Sequence, residues 1–170
     1  MKLILLRHAK AQKASWDVPD RDRPLQERGH RQTIQLANNL PGPLAVDSKV
    51  PWTIWCSPAL RTRQTLEGWR QNSLSKSAWD GLVEPQQPDW LYLAEAERLE
   101  SERQLLDDAV NLLVIGHNNG LSDWADSLLG RPQPPLRTCQ LLVLQSPSQK
   151  ESSVRWHVEL SWIADQKEPW

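Results

Sequence analysis

Three apolar runs in this 170-residue chain end in polar groups suited to phosphate chemistry. Leu3 to Leu6 stops at Arg7 and His8, with Lys10 close behind. The stretch WTIWC, from Trp52 to Cys56, leads into Ser57 and then, four residues on, Arg61. LLVIG, from Leu112 to Gly116, ends in His117 within GHNNG. Planar guanidinium groups bind phosphoryl oxygens through paired hydrogen bonds. A neutral imidazole is a competent nucleophile toward phosphorus and can hold the phosphoryl group covalently. Cationic side chains can balance the charge in place of a metal. Two histidines and two arginines would therefore form a phosphoryl-transfer site, provided the three run ends lie side by side.

That condition requires neighbouring parallel strands, since ligands of open α/β sheets bind outside the carboxyl ends of the strands. Continuous apolar runs bounded by polar residues read as strands covered on both faces. Helical stretches lie between them. Leu121, Trp124, Ala125 and Leu128 recur at i, i+3, i+4 and i+7, and Gly130 then Pro132 mark the stop. SPALRTRQTLEGW reads as a helix with Ser57 as N-cap and Pro58 at its first position. Pro24 to Leu40 and Asp89 to Leu106 read as two more, the former weakly capped by Gln26. Near the end, Val154, Trp156, Val158, Leu160 and Trp162 alternate with Arg155, His157, Glu159 and Ser161, as in an edge strand with one solvated face. Leu141 to Leu144 is its expected hairpin partner, joined through QSPSQKESS. The pattern predicts an α/β sandwich with a mixed sheet, in one domain over residues 1–170. RPQPPLR reads as a rigid surface loop.

Composition limits the partners. Twenty basic against 21 acidic residues give a net charge of -1, so no global field recruits nucleic acid or an acidic membrane. Neither partner is expected. Cys56 and Cys139 make no redox or metal spacing, and no close-spaced ligand pairs suggest zinc. No metal or other cofactor is therefore expected. Leu3 to Leu6 is shorter than the roughly 7–15 residues of a signal-peptide core, and no stretch approaches a membrane span, so a cytoplasmic protein is expected. The sequence gives no physical reason for its ten tryptophans and no phenylalanine, beyond the fact that such rings can fill a core where phenylalanine might have done so. His30 and His157 read as surface residues.

LLRHAK, DRPLQERG, SPALRTRQT and VIGHNNGLSDWADSLLG occur in that order across about residues 2 to 144. Together they resemble the signature segments of the histidine phosphatase superfamily, most of all its small branch of SixA-type phosphohistidine phosphatases. The resemblance implies a three-layer α/β/α sandwich with a mostly parallel mixed sheet, the phosphoglycerate mutase-like fold. It implies that His8 is the nucleophile, that Arg7 and Arg61 bind the phosphoryl oxygens, and that His117 donates a hydrogen bond to the transferring group. Arg23, in DRPL, and Asn118 become substrate-binding candidates. Lys10 and Lys13 are candidates for the pocket rim, as is Arg21, with Lys13 and Arg21 leaning to solvent. Ala9 stands where the superfamily usually has glycine, and Asn119 where proline is common.

Many relatives carry a general acid after the second helix. The candidate here is Glu84 in WDGLVEPQQPDW, with Asp80 behind it, although a carboxylate in a turn is usually solvated. A phosphorylated imidazole leaves more easily than an alkoxide and depends less on such an acid. The expectation is a metal-independent phosphatase working through phosphohistidine on His8. Its substrate would be phosphorylated, with a phosphohistidine protein first in line. Two alternatives stay open: a small-molecule phosphomonoesterase or mutase of the same superfamily, and a non-catalytic phosphate-binding module.

Overall fold

The computed structural model describes residues 1–40, 50–73, 79, 83–107, 110–146 and 156–164. The three apolar runs form strands β1 (Lys2–Arg7), β2 (Trp52–Cys56) and β3 (Asn111–Gly116), and the terminal hairpin supplies β4 (Gln140–Gln145) and β5 (His157–Ile163). The sheet order is β2-β3-β1-β4-β5. β3 pairs in parallel with both β1 and β2, whereas β4 is antiparallel to both β1 and β5. Only β4 therefore runs against the others.

Side chains of β1 alternate between two buried clusters, as the two-residue period of a strand dictates. Ile4 and Leu6 join the cluster containing Leu36 and Ala37 of α1 (Glu27–Asn39) and Leu66 and Trp69 of α2 (Leu60–Asn72). Leu3 and Leu5 face the cluster built from Leu99 of α3 (Ala96–Arg103) and Leu121, Trp124 and Leu129 of α4 (Gly120–Leu129). Helices thus cover both faces of the sheet, giving the α/β/α layers. Trp52, Trp55, Trp69, Trp79 and Trp124 are buried and fill the core, whereas Trp16 is 99 % exposed and does not. The Nε1–H groups of Trp69 and Trp124 donate to the Leu40 carbonyl and to Glu100.

Several local expectations need correction. The helix after β2 starts at Leu60 with Ala59 as N-cap, not at Pro58. Ser57 does not cap it because its hydroxyl bonds a histidine across the site, leaving only a 3.5 Å contact with the Ala59 amide. The stretch from Asp89 to Leu106 is not one helix but a 3-10 turn, Asp89–Leu91, followed by α3. Leu93 between them takes φ 53°, which no α-helix contains. There the chain presses onto α4: a Cβ on Gly120 would lie 1.8 Å from the Ala94 carbonyl oxygen.

The last strand does not keep one buried face. Its register against β4 shifts between Val143 and Leu144, so Val158 packs with the α3–α4 cluster and Trp162 with the α1–α2 cluster. A bulge of this kind reverses the alternation beyond it, and Leu160 stays 36 % exposed. Val154 and most of the QSPSQKESS loop lie outside the described residues. By contrast, Gly130 ends α4 at φ 64°, the left-handed position that its sequence signal indicated.

Candidate active site

Backbone pairing continues one residue beyond the strands. The His8 amide donates to the Gly116 carbonyl at 3.1 Å and the Ser57 amide to the Ile115 carbonyl at 2.9 Å. Ends of β1, β2 and β3 are thereby brought level, with β3 in the middle. Arg7, His8, Arg61 and His117 all line one hollow of about 500 Å³, together with Arg23 and Asn118. The His8 and His117 ring centroids are 5.3 Å apart. The convergence required by the sequence argument is present.

His8 is held in one tautomer. Its Nδ1 lies 2.7 Å from the Ala9 carbonyl oxygen, which can only accept, so Nδ1 carries the proton and Nε2 keeps its lone pair. Ala9 is itself fully buried, and its amide donates to Thr65 Oγ1 on α2 at 3.0 Å. Behind this turn, Gly29 of α1 sits so close that a Cβ would lie 2.2 Å from the Lys10 carbonyl oxygen. That close approach explains the glycine in DRPLQERG. Burial, followed by the charges of Arg61, Arg7 and Arg23, pushes the His8 imidazole down to about 4, against the opposing bond to Ala9. At neutral pH it is an uncharged ring.

His117 is buried, whereas His8 is half-buried. Burial first, then His8, Arg61 and Arg7, lowers it to about 3, with Asp20 opposing. Its Nε2 lies 2.7 Å from Ser57 Oγ, while its Nδ1 is buried without a hydrogen-bond partner among the described residues. When the Ser57 hydroxyl donates to Nε2, Nδ1 holds the proton and is a free donor.

The arginines are anchored differently. Arg7 Nη1 donates to the Leu136 carbonyl at 2.6 Å, and Asn118 Nδ2 donates to the same oxygen at 2.9 Å. Arg7 Nε and Asn118 Oδ1 are buried without partners among the described residues. Thus RPQPPLR is more than a surface loop, because its Leu136 carbonyl fixes two side chains of the site. Arg61, 2 % exposed, donates through Nη1 to the Asp20 carbonyl and through Nη2 to Asp20 Oδ2 at 2.8 Å. Arg23 binds Asp20 Oδ1 through Nε and Nη2 and the Gln12 carbonyl through Nη1, so it braces the loop.

Asp20 is the one carboxylate lining the hollow among the described residues, and sequence reasoning did not single it out. Tyr92, whose hydroxyl donates to Asp20 Oδ2 at 2.6 Å and whose ring meets His117 edge-on at 5.6 Å, was missed too. Desolvation pushes the Asp20 carboxyl up, but the Tyr92 hydroxyl, Arg23 and Arg61 outweigh it and hold the group well below the usual carboxylate range. It is an ionised brace. It holds no proton to give at neutral pH.

Glu84 is placed elsewhere. It lines a separate groove on α2 with Arg63 and Arg70, is 87 % exposed, and lies 4.0 Å from Arg70. Asp80 lies outside the described residues. Lys10 and Lys13 do rim the hollow, whereas Arg21 turns away to pair with Asp89 at 2.5 Å. His30 and His157 are exposed. Cys56 and Cys139 are buried and form no disulfide among the described residues, and burial raises Cys56 to about 12, so it is an unreactive thiol.

A sheet with helices on both faces carries, at its strand ends, one half-buried and one buried imidazole flanked by guanidiniums, an arrangement that suits a phosphoryl group. The chain belongs to the histidine phosphatase superfamily, branch 1, whose family model matches residues 3–115, and it is a phosphatase of the phosphoglycerate mutase-like fold. An uncharacterized chloroplastic protein of Arabidopsis thaliana is 30 % identical over 158 residues, which cover 85 % of this chain and 66 % of that longer protein. A protein from Agrobacterium tumefaciens assigned as a phosphohistidine phosphatase, SixA, superposes with a TM-score of 0.73 at 25 % identity, covering 95 % of this chain and 97 % of its own. The protein histidine phosphatase SixA solved with tungstate superposes with a TM-score of 0.71 at 19 % identity, over 95 % and 96 % of the two chains. No helix among the described residues is long and apolar enough to cross a membrane.

Proposed function

We propose that the chain is a single histidine phosphatase domain, residues 1–170, that removes the phosphoryl group from phosphohistidine on a protein. It does so without a metal, through a phosphohistidine of its own on His8. The observation that carries this reading is the His8 bond to the Ala9 carbonyl, which leaves Nε2 unprotonated beside two guanidiniums. Nε2 attacks phosphorus while the bond from phosphorus to the substrate's ring nitrogen breaks, and that nitrogen takes a proton from solvent. Water then attacks the phosphorus on His8, releasing inorganic phosphate and a proton and restoring the imidazole. Arg7 and Arg61 hold the phosphoryl oxygens, and His117 donates to one of them through Nδ1. Arg23 and Asn118 keep the loops around the substrate in place. Fixed donors of this kind stabilise charge that develops in the transition state without reorganising.

The choice of substrate follows from the acid. Glu84 is in another groove and Asp20 is locked as a carboxylate. A site with no protonated carboxyl group among the described residues favours a leaving group that departs easily, and an imidazole is better in that respect than an alkoxide. Two buried thiols that form no disulfide suit a cytoplasmic setting. The test compares a phosphohistidine peptide, a sugar phosphate and p-nitrophenyl phosphate, all with a chelator present. The phosphohistidine peptide should give the highest kcat/KM. A higher value for the sugar phosphate would favour the small-molecule reading, and no turnover of any of them the binding-module reading.

A further inference from the structure

Beside the His8 hollow lies a second one of about 330 Å³, and the two share Arg7, Lys10 and Thr138 as a common wall. The second is lined by four cationic side chains, Arg7, Lys10, Arg28 and Arg137, and by no carboxylate among the described residues. Its charge is local, because the chain as a whole carries a net charge of -1. Asp20, which lines the neighbouring hollow, is engaged with Arg23 and Arg61, and Glu27, next to Arg28 in sequence, with Arg31. Neither the Lys10 ammonium nor the Arg137 guanidinium forms an ion pair among the described residues. Like charges gathered around one concavity repel one another and favour an anion there.

We propose that this hollow is a second anion subsite, which receives acidic side chains of the protein substrate next to its phosphohistidine. The proposal rests on the phosphohistidine reading for the identity of the substrate, but not for the existence of the subsite. The shared wall makes it act on the same bound molecule: Arg7 and Lys10 face both hollows, so a segment whose phosphoryl group is at His8 passes directly by Arg137 and Arg28. Such a subsite selects among phosphorylated proteins by the charge of the flanking sequence, which a site for one phosphoryl group cannot do.

The test uses two phosphohistidine peptides of equal length, one flanked by Asp and Glu and the other by Asn and Gln, at low ionic strength. The acidic peptide should be dephosphorylated with a kcat/KM at least tenfold higher, and added salt should shrink the gain. In Arg137→Glu, and less so in Arg28→Gln, the gain should disappear while turnover of p-nitrophenyl phosphate, which has no flanking anion, stays at the wild-type value. Equal rates for the two peptides, or a gain that survives in Arg137→Glu, overturn the subsite. If neither peptide is turned over, the phosphohistidine reading fails and the subsite is judged separately. An unphosphorylated Glu-rich peptide is then used to inhibit p-nitrophenyl phosphate hydrolysis. A subsite predicts inhibition at least fivefold weaker in Arg137→Glu, and equal inhibition of the two proteins excludes it.

Discussion

Two concavities beside α2 each contain an arginine of that helix and a carboxylate from outside it. In one, Arg61 is 2 % exposed and grips Asp20 at 2.8 Å beside His8 and His117. In the other, Arg70 and Glu84 are 38 % and 87 % exposed and 4.0 Å apart, with no histidine near them. Their volumes are similar, about 500 and 430 Å³. An arginine–carboxylate pair and the size of the hollow therefore do not separate the candidate site from a solvated groove. Burial does: it fixes the Arg61 guanidinium and strips water from the imidazoles, whereas the outer pair is screened and contributes little.

Arg61→Gln should lower kcat on an aryl phosphate by roughly 100- to 1000-fold, the usual loss for a preorganised charge donor. Near-normal turnover would mean that the buried arginine does not hold the phosphoryl group. The next largest effect is on protonation. With a pKa of about 4, His8 is about 90 % neutral at pH 5, whereas an ordinary imidazole would be about 3 % neutral. NMR titration of the ring resonances should show His8 and His117 unprotonated at pH 5 in the free enzyme, and midpoints near 6.5 would refute the effect of burial. The folded state then binds fewer protons than the unfolded chain as pH falls from 6.5 through 4. Stability should accordingly drop on acidification in that window and recover as pH rises.

Asp20→Asn sharpens the contrast between brace and acid. Loss of the common anchor of Arg61, Arg23 and Tyr92 should cut kcat about tenfold, with the alkaline side of the pH–rate profile unchanged. A shift on that side would show that Asp20 donates a proton. The smallest effect belongs to the outer groove. Glu84→Gln should leave kcat and KM within about twofold of wild type, as expected for an exposed charge away from the chemistry, and a large loss would restore it as the general acid.

The four residues that meet at the site were legible because each follows an apolar run, and parallel strands that begin on one side of a domain also end together. Sequence-local signals did as well elsewhere: Gly130 stops α4 where a left-handed residue was due. Partners distant in sequence were harder to read. Ser57 looked like a cap by its place before Pro58, yet its hydroxyl bonds His117, 60 positions away. Asp20 stood in plain view beside DRPL, but the bonds that make it a brace come from Arg61 and Tyr92. Leu136 acts through a backbone carbonyl, which has no signature in side-chain type. The bulge that turns β5 over left the alternating pattern of the sequence intact while reversing its meaning.

In the proposed mechanism His8 Nε2 is the atom that takes the phosphoryl group. Rapid quenching of the enzyme during turnover of labelled aryl phosphate, with chelator present, tests it most directly. The prediction is a phosphoenzyme that is labile to acid and stable to base, with the label mapping to His8 and absent from His8→Ala, whose turnover falls at least about 1000-fold. Full turnover by His8→Ala, or label on any other residue, would contradict it.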